Sequence, residues 1–165
     1  PFKVYENQDK RLVISGVGKI RSSNATAFLH ALTGAALNQI WINLGIAGHS
    51  HYPVGTGVLA DDVKDQETEL NCPLIPVAVN SCKIASVLTV KQAETQYTGD
   101  WVYDMEASGF CHMASLFSEP NLIQCYKIIS DNQKTSLKTI TPVLSQSLVK
   151  ENLKTIDLLV KKLLN

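Results

Sequence analysis

Two acidic clusters stand at the ends of apolar runs. In "WVYDMEASGF" (101–110), Asp104 and Glu106 flank Met105 where a strand-like pattern gives way to a helical one. In "LIQCYKIISDN" (122–132), Asp131 follows Ser130 at the end of a run that is apolar nearly throughout. A carboxyl at a buried strand end is partly desolvated, and that environment suits a proton donor. The plainer reading makes Asp131 a turn or cap acid and places Glu106 in the first turn of a helix, where it complements the dipole.

His49 and His51 form an H-x-H pair of the kind metals use, but Gly48, Tyr52 and Pro53 put them in a loop, with no third ligand near in sequence. Ser50 between them lacks the G-x-S-x-G frame of a nucleophile. "NLGIAGHS" ends a strand with Gly45 and Gly48, the end at which α/β sheets bind ligands; the alternative is a plain turn. "SGVGK" holds Gly16 and Gly18 but is no dinucleotide fingerprint: Arg21 occupies the third glycine position, and no acid follows about 20 residues on.

Around these residues, "FKVYENQDKRLVIS" reads as a hairpin. A helix is expected over 22–37, capped by Ser23 or Asn24, with Ala25, Phe28, Leu29, Leu32 and Ala36 on one face. "QIWINLGIAG", "TGVLADDV", "PLIPVAV", "KIASVLTV", "WVYDM" and "LIQCYKIIS" read as strands or strand fragments, and 106–117 as a helix. The chain closes on a long helix with Thr141 as cap and Pro142 at its first position. Its apolar stripe is Val149, Leu153, Ile156, Val160 and Leu163. Alternating strands and helices, with strands apolar on both faces, predict an α/β fold.

The chain has 165 residues, enough for one domain with a sizeable core. It is 45% hydrophobic and 18% charged, a globular rather than disordered profile. Fifteen basic and fifteen acidic residues balance, so no field points to nucleic acid or a membrane surface. No apolar run reaches the roughly 18 residues of a membrane span. Cys72, Cys82, Cys111 and Cys125 are widely spaced and read as reduced, mostly buried thiols of a cytoplasmic protein.

"VISGVGKIRSSNATAFL", "WINLGIAGHSHYPVGTGVLADDV", "YDMEASG" and "KIISDN", in this order, resemble the nucleoside phosphorylase and nucleosidase superfamily, and most of all the methylthioadenosine/S-adenosylhomocysteine nucleosidases. The resemblance implies a three-layer-like twisted mixed β-sheet, almost a barrel, flanked by helices. It implies cleavage of the N-glycosidic bond of a purine nucleoside or thionucleoside, without a cofactor. Asp131 would protonate the purine at N7, with Ser130 positioning it. Glu106 would hold the ribose hydroxyls through its two oxygens, and Met105 would pack on the sugar. Asn43, Gly45, Ile46, Ala47 and Gly48 would form the nucleophile or phosphate pocket. Asn43 stands where similar phosphorylases often carry arginine, which favours water over phosphate.

Three features depart from the pattern. The family's usual first strand and loop, with a water-activating glutamate, would lie ahead of Pro1, so the chain is expected to be N-terminally truncated or short. Ile46 replaces a serine. The stretch Thr89 to Gln96 holds no phenylalanine to stack on a base. A catalytically impaired nucleoside-binding relative is the alternative. A homo-oligomer is expected by resemblance.

Overall fold

Two strands, β1 (Lys3–Asn7) and β2 (Lys10–Ile14), open the chain as the expected antiparallel hairpin. The computed structural model describes residues 2–164; Pro1 lies outside them. Then follow α1 (Lys19–Leu32), β3 (Trp41–Gly48), β4 (Gly57–Asp65), β5 (Asn71–Pro73), β6 (Lys83–Thr89), β7 (Val102–Asp104), α2 (Ala107–Ala114), β8 (Ile123–Asp131) and α3 (Pro142–Leu164).

The six later strands form one mixed sheet in the order β5-β4-β6-β7-β3-β8, and β4 also pairs with β8. That last pairing closes β4, β6, β7, β3 and β8 into a ring, with β5 hung outside on β4. The expected twisted mixed sheet is present, and it curls until its ends meet. Closure removes edges that would otherwise expose unpaired backbone groups.

β8 lies at the centre and is buried at all nine positions. Its alternation separates two clusters. Cys125 and Ile129 join Trp41, Val58, Val87, Phe110 and Leu29 on one side. Tyr126 and Ile128 join Leu59, Leu148 and Leu159 beneath α3 on the other. β3 pairs along its whole length with β8, but meets β7 only at Gly48 and Tyr103. Between Trp41 and Ala47 it is therefore paired on one side among the described residues, and Leu44 is 36% exposed in a strand that reads as buried.

Several expected bounds move. α1 starts at Lys19, directly after Gly18, so Ser23 and Asn24 lie inside it and cap nothing. It ends at Leu32 because Gly34 and Ala35 take positive φ, and Leu32 itself is exposed. Its inward face is Ser22, Ala25, Thr26 and Leu29. "PLIPVAV" contributes only Pro73 to a strand: Pro73 and Pro76 offer no N–H for a ladder, and the Val77 N–H goes instead to the Gln124 side chain, 3.1 Å away. α2 stops at Ala114 and runs out in turns. In α3 the Thr141 hydroxyl caps the Leu144 N–H at 3.2 Å, as expected. The buried face, however, is Leu148, Asn152 and Leu159, flanked by Val149, Ile156 and Leu163, and Leu153 points outward. Asn152 is buried because its amide accepts the Tyr126 hydroxyl at 2.7 Å and donates to the Gly55 and Leu148 carbonyls.

Candidate active site

α1 and α2 pack closely because Gly109 has no side chain; a Cβ there would collide with the Lys19 carbonyl. This contact brings the N-terminus of α1 to the acids of "DMEA". Asp104 ends β7 with its side chain fully buried and its carboxylate facing four donors. Oδ1 accepts the Thr89 hydroxyl at 2.7 Å; Oδ2 accepts the Glu106 and Ala107 N–H groups at 3.1 and 2.7 Å and the Lys127 ammonium at 2.7 Å. Asp104 is therefore the acid that satisfies the start of α2. Glu106, at the helix start, reaches across to α1, and its Oε1 accepts the Gly18 N–H at 2.8 Å. One Glu106 oxygen is thus engaged by backbone, and Oε2 has no such tie among the described residues.

Asp131 ends β8 and is 2% exposed. Its Oδ1 accepts the Ser130 hydroxyl at 2.5 Å, and its Oδ2 accepts the hydroxyl of Tyr97, which hangs from the loop between β6 and β7. Gly48 at the end of β3 lies so close that a Cβ there would sit 2.8 Å from Asp131 Oδ2 and from the Tyr97 ring.

One cavity of about 500 Å³ is lined by Asn43, Gly45, Ile46, Ala47, Gly48, Met105, Glu106, Ser130 and Asp131. Every residue the sequence singled out for the site therefore meets at this one place. Ile46 packs its side chain on the cluster beneath α3. The Cys125 thiol donates to Asn43 Oδ1 at 3.7 Å, which leaves the NH2 end of Asn43 as the donor the cavity can use. Burial pushes that thiol up to about 12, so it stays protonated.

No protein-family model and no curated relative matches the sequence. Solved structures do match. A methylthioadenosine nucleosidase of Chlamydia trachomatis superposes at a TM-score of 0.63 with 21% identity, over 96% of this chain and 83% of that one. The 5'-methylthioadenosine/S-adenosylhomocysteine nucleosidase of Helicobacter pylori, solved with butyl-thio-DADMe-Immucillin-A, gives 0.70 with 14% identity, over 94% and 84%. Futalosine hydrolase of Helicobacter pylori gives 0.67 with 13% identity, over 93% and 84%. The chain has the nucleosidase fold.

On this nucleosidase fold, Lys127 is the feature sequence reading missed. It lies four residues before Asp131 on β8, with a register shift between the two, and the signal available in the sequence was a charged residue inside an apolar run. It is 1% exposed and lines the cavity. Burial alone would push its ammonium down; the Asp104 carboxylate against it more than reverses this and holds it above the ordinary lysine range. The charged residues lining the cavity are Glu94, Asp104, Glu106 and Asp131 against Lys127 alone.

The H-x-H pair gains a third neighbour: candidate ligand atoms of His49, His51 and Asp100 lie within 4.8 Å of one another. The donor set nevertheless does not fit a metal. His49 Nδ1 accepts two backbone N–H groups, from His51 and Tyr52, each at 3.2 Å. The ring proton therefore sits on Nε2, which faces Asp100 Oδ1 at 3.3 Å without good alignment, and no His49 lone pair is left for an ion. The ring is fully buried and stacks on Tyr52 at 3.7 Å. Burial first, then His51, holds its pKa below 6.5.

An acid-stability effect follows. Below pH 6.5 the unfolded chain takes up a proton that folded His49 refuses, so stability falls as pH drops through this range, until the folded ring protonates as well. Urea unfolding of wild type and His49→Gln at pH 7.5 and 5.5 tests this. The wild type should lose up to about 1.4 kcal/mol per pH unit more than the variant; parallel pH dependence in both would refute it.

All four cysteines are free thiols. No helix among the described residues is long and apolar enough to cross a membrane.

Proposed function

We propose that the protein hydrolyses the N-glycosidic bond of a purine nucleoside or thionucleoside. The observation that carries this reading is the convergence of Asp131 and Glu106 on one cavity from different strand ends. As the bond breaks, the base takes the electron pair and the sugar becomes cation-like. Asp131 gives its proton to the base at N7, which makes the base a neutral leaving group. Glu106 accepts ribose hydroxyls through its free oxygen, Met105 packs against the sugar, and the surplus of carboxylates favours positive charge developing there.

Charge also favours water over phosphate. A phosphate dianion would meet the carboxylates of Glu94 and Glu106, while the Lys127 ammonium and the Asp104 carboxylate match each other and Asp131 holds its proton. The Chlamydia trachomatis enzyme was also solved with methylthioadenosine bound, and at 20% identity it superposes at 0.67 over 96% of this chain and 84% of that one. That supports a thionucleoside as the first substrate to try. Asn43, Gly45, Ala47 and Gly48 would border the attacking water, and a homo-oligomer is the assembly the reading expects.

One observation favours a second reading, a nucleoside-binding relative with impaired turnover. Both oxygens of Asp131 and one of Glu106 already accept hydrogen bonds from the protein. Release of free base from methylthioadenosine, S-adenosylhomocysteine, adenosine and inosine, each with and without phosphate, decides between them. We expect base and free sugar at a rate independent of phosphate. Release only with phosphate would mark a phosphorylase. Binding by calorimetry without release would establish the second reading.

A further inference from the structure

Tyr97 sits in the loop over residues 90–101, between β6 and β7, in an unusual state. Its φ is +48°, in the left-handed region that non-glycine residues enter at a cost of about 1–2 kcal/mol, and it is 5% exposed. The surroundings hold it there. Its ring packs with Val90 and Tyr103 in a cluster that also takes in Leu88, Trp101 and Met105, and meets Tyr103 edge-on at 5.9 Å. A tyrosine this buried needs a partner for its hydroxyl, and that partner is Asp131 Oδ2. Ser130 holds the other oxygen. The Asp131 carboxyl is thus gripped by its strand neighbour and by a separate loop, and Gly48 leaves the room in which Tyr97 meets it.

We propose that Tyr97 is a positioning residue for proton delivery by Asp131. The proposal rests on the hydrolase reading above. The proton leaves the Asp131 carboxyl for a base nitrogen as the C–N electron pair goes to the base. Tyr97 keeps its own proton and donates it in a hydrogen bond to the carboxylate that forms. That bond strengthens as the negative charge appears, so it acts on the transition state more than on the bound substrate.

The test compares a nucleoside, whose base must be protonated to leave, with 4-nitrophenyl β-D-ribofuranoside, whose leaving group departs unprotonated. Tyr97→Phe keeps the ring and its packing. We expect kcat on the nucleoside to fall about ten- to hundredfold, the size expected of a hydrogen bond to a charged group, with KM and the nitrophenyl riboside rate within about twofold of wild type. In an Asp131→Asn background the same change should have no further effect. Equal losses on both substrates would show a merely structural role and overturn the proposal. So would an unchanged nucleoside rate, or a faster one, which would make Tyr97 a blocker of the carboxyl. If the Tyr97→Phe chain does not fold, 3-fluorotyrosine at this position keeps the hydroxyl but makes it a more acidic donor to Asp131; it should change the nucleoside rate and leave the nitrophenyl riboside rate within about twofold, and equal changes on both would overturn the proposal. A wild type inactive on both substrates would overturn the hydrolase reading, and this proposal with it.

Discussion

On the hydrolase reading, Asp131→Asn should cost most of the turnover while nucleoside binding survives. An amide keeps the shape, and its oxygen accepts one of the Ser130 and Tyr97 hydroxyls while its NH2 faces the other, but it has no acidic proton to give to the base. Proton transfer by a positioned side chain contributes about 10²–10⁴-fold, and the loss in kcat should fall in that range. Binding of methylthioadenosine by calorimetry should stay within about fivefold, because the ribose contacts proposed for Glu106 and Met105 would be untouched. Glu106→Gln makes the complementary case: it would remove the charge proposed to face the cationic sugar and loosen the Gly18 contact, so it should slow nitrophenyl riboside and nucleoside alike. Turnover by Asp131→Asn at the wild-type rate would refute its role as the acid.

The second large effect is on stability, and it is asymmetric. Asp104 and Lys127 form a buried ion pair with side chains 0% and 1% exposed. Removing one partner of such a pair leaves a charge stranded away from water, which destabilises by about 3–5 kcal/mol. Asp104→Asn should reach that range, because the Lys127 ammonium loses the one carboxylate it contacts among the described residues. Lys127→Met should lose less: Asp104 keeps the Thr89 hydroxyl and two backbone N–H groups. The double variant should be more stable than the sum of the single losses predicts, since it strands no charge. Chemical denaturation of the four proteins measures this. Additive losses, or Lys127→Met as the worse of the two, would sink the account.

The same pair explains why part of the site escaped sequence reading. A lysine inside "QCYKIIS" breaks an apolar run, and nothing within several residues of it answers its charge. Its partner lies 23 positions earlier, at the end of another strand. Asp104 caps α2 from within the core, where its side chain is fully buried. Tyr97 was invisible for a similar reason: "KQAETQYTGD" reads as a polar loop, and only the side-by-side placing of β7, β3 and β8 carries it onto Asp131. His49 and His51 suggested metal by spacing. The structure added Asp100 and then removed the possibility, through the two N–H donors at Nδ1.

Helix faces mark the same boundary. Spacing located α3 and its cap, but the face turned inward includes Asn152 and excludes Leu153. An apolar stripe says that some face is buried. A buried polar residue is settled by whether partners wait for it, here Tyr126 and the Gly55 carbonyl.

By itself the sequence determined the opening hairpin, the buried character of β8, the last helix with its Thr141 cap and the α/β class, properties of period and turn chemistry written within a few residues of each position; Glu106 and Asp131 were singled out by family resemblance. Only the tertiary structure decided that the sheet closes through β4 and β8, that Lys127 is matched by Asp104, that Tyr97 grips Asp131, and that β3 is paired along one edge over most of its length. Those depend on which distant groups meet, and burial makes them consequential: a charge or hydroxyl taken out of water must find its partner wherever the fold has placed one.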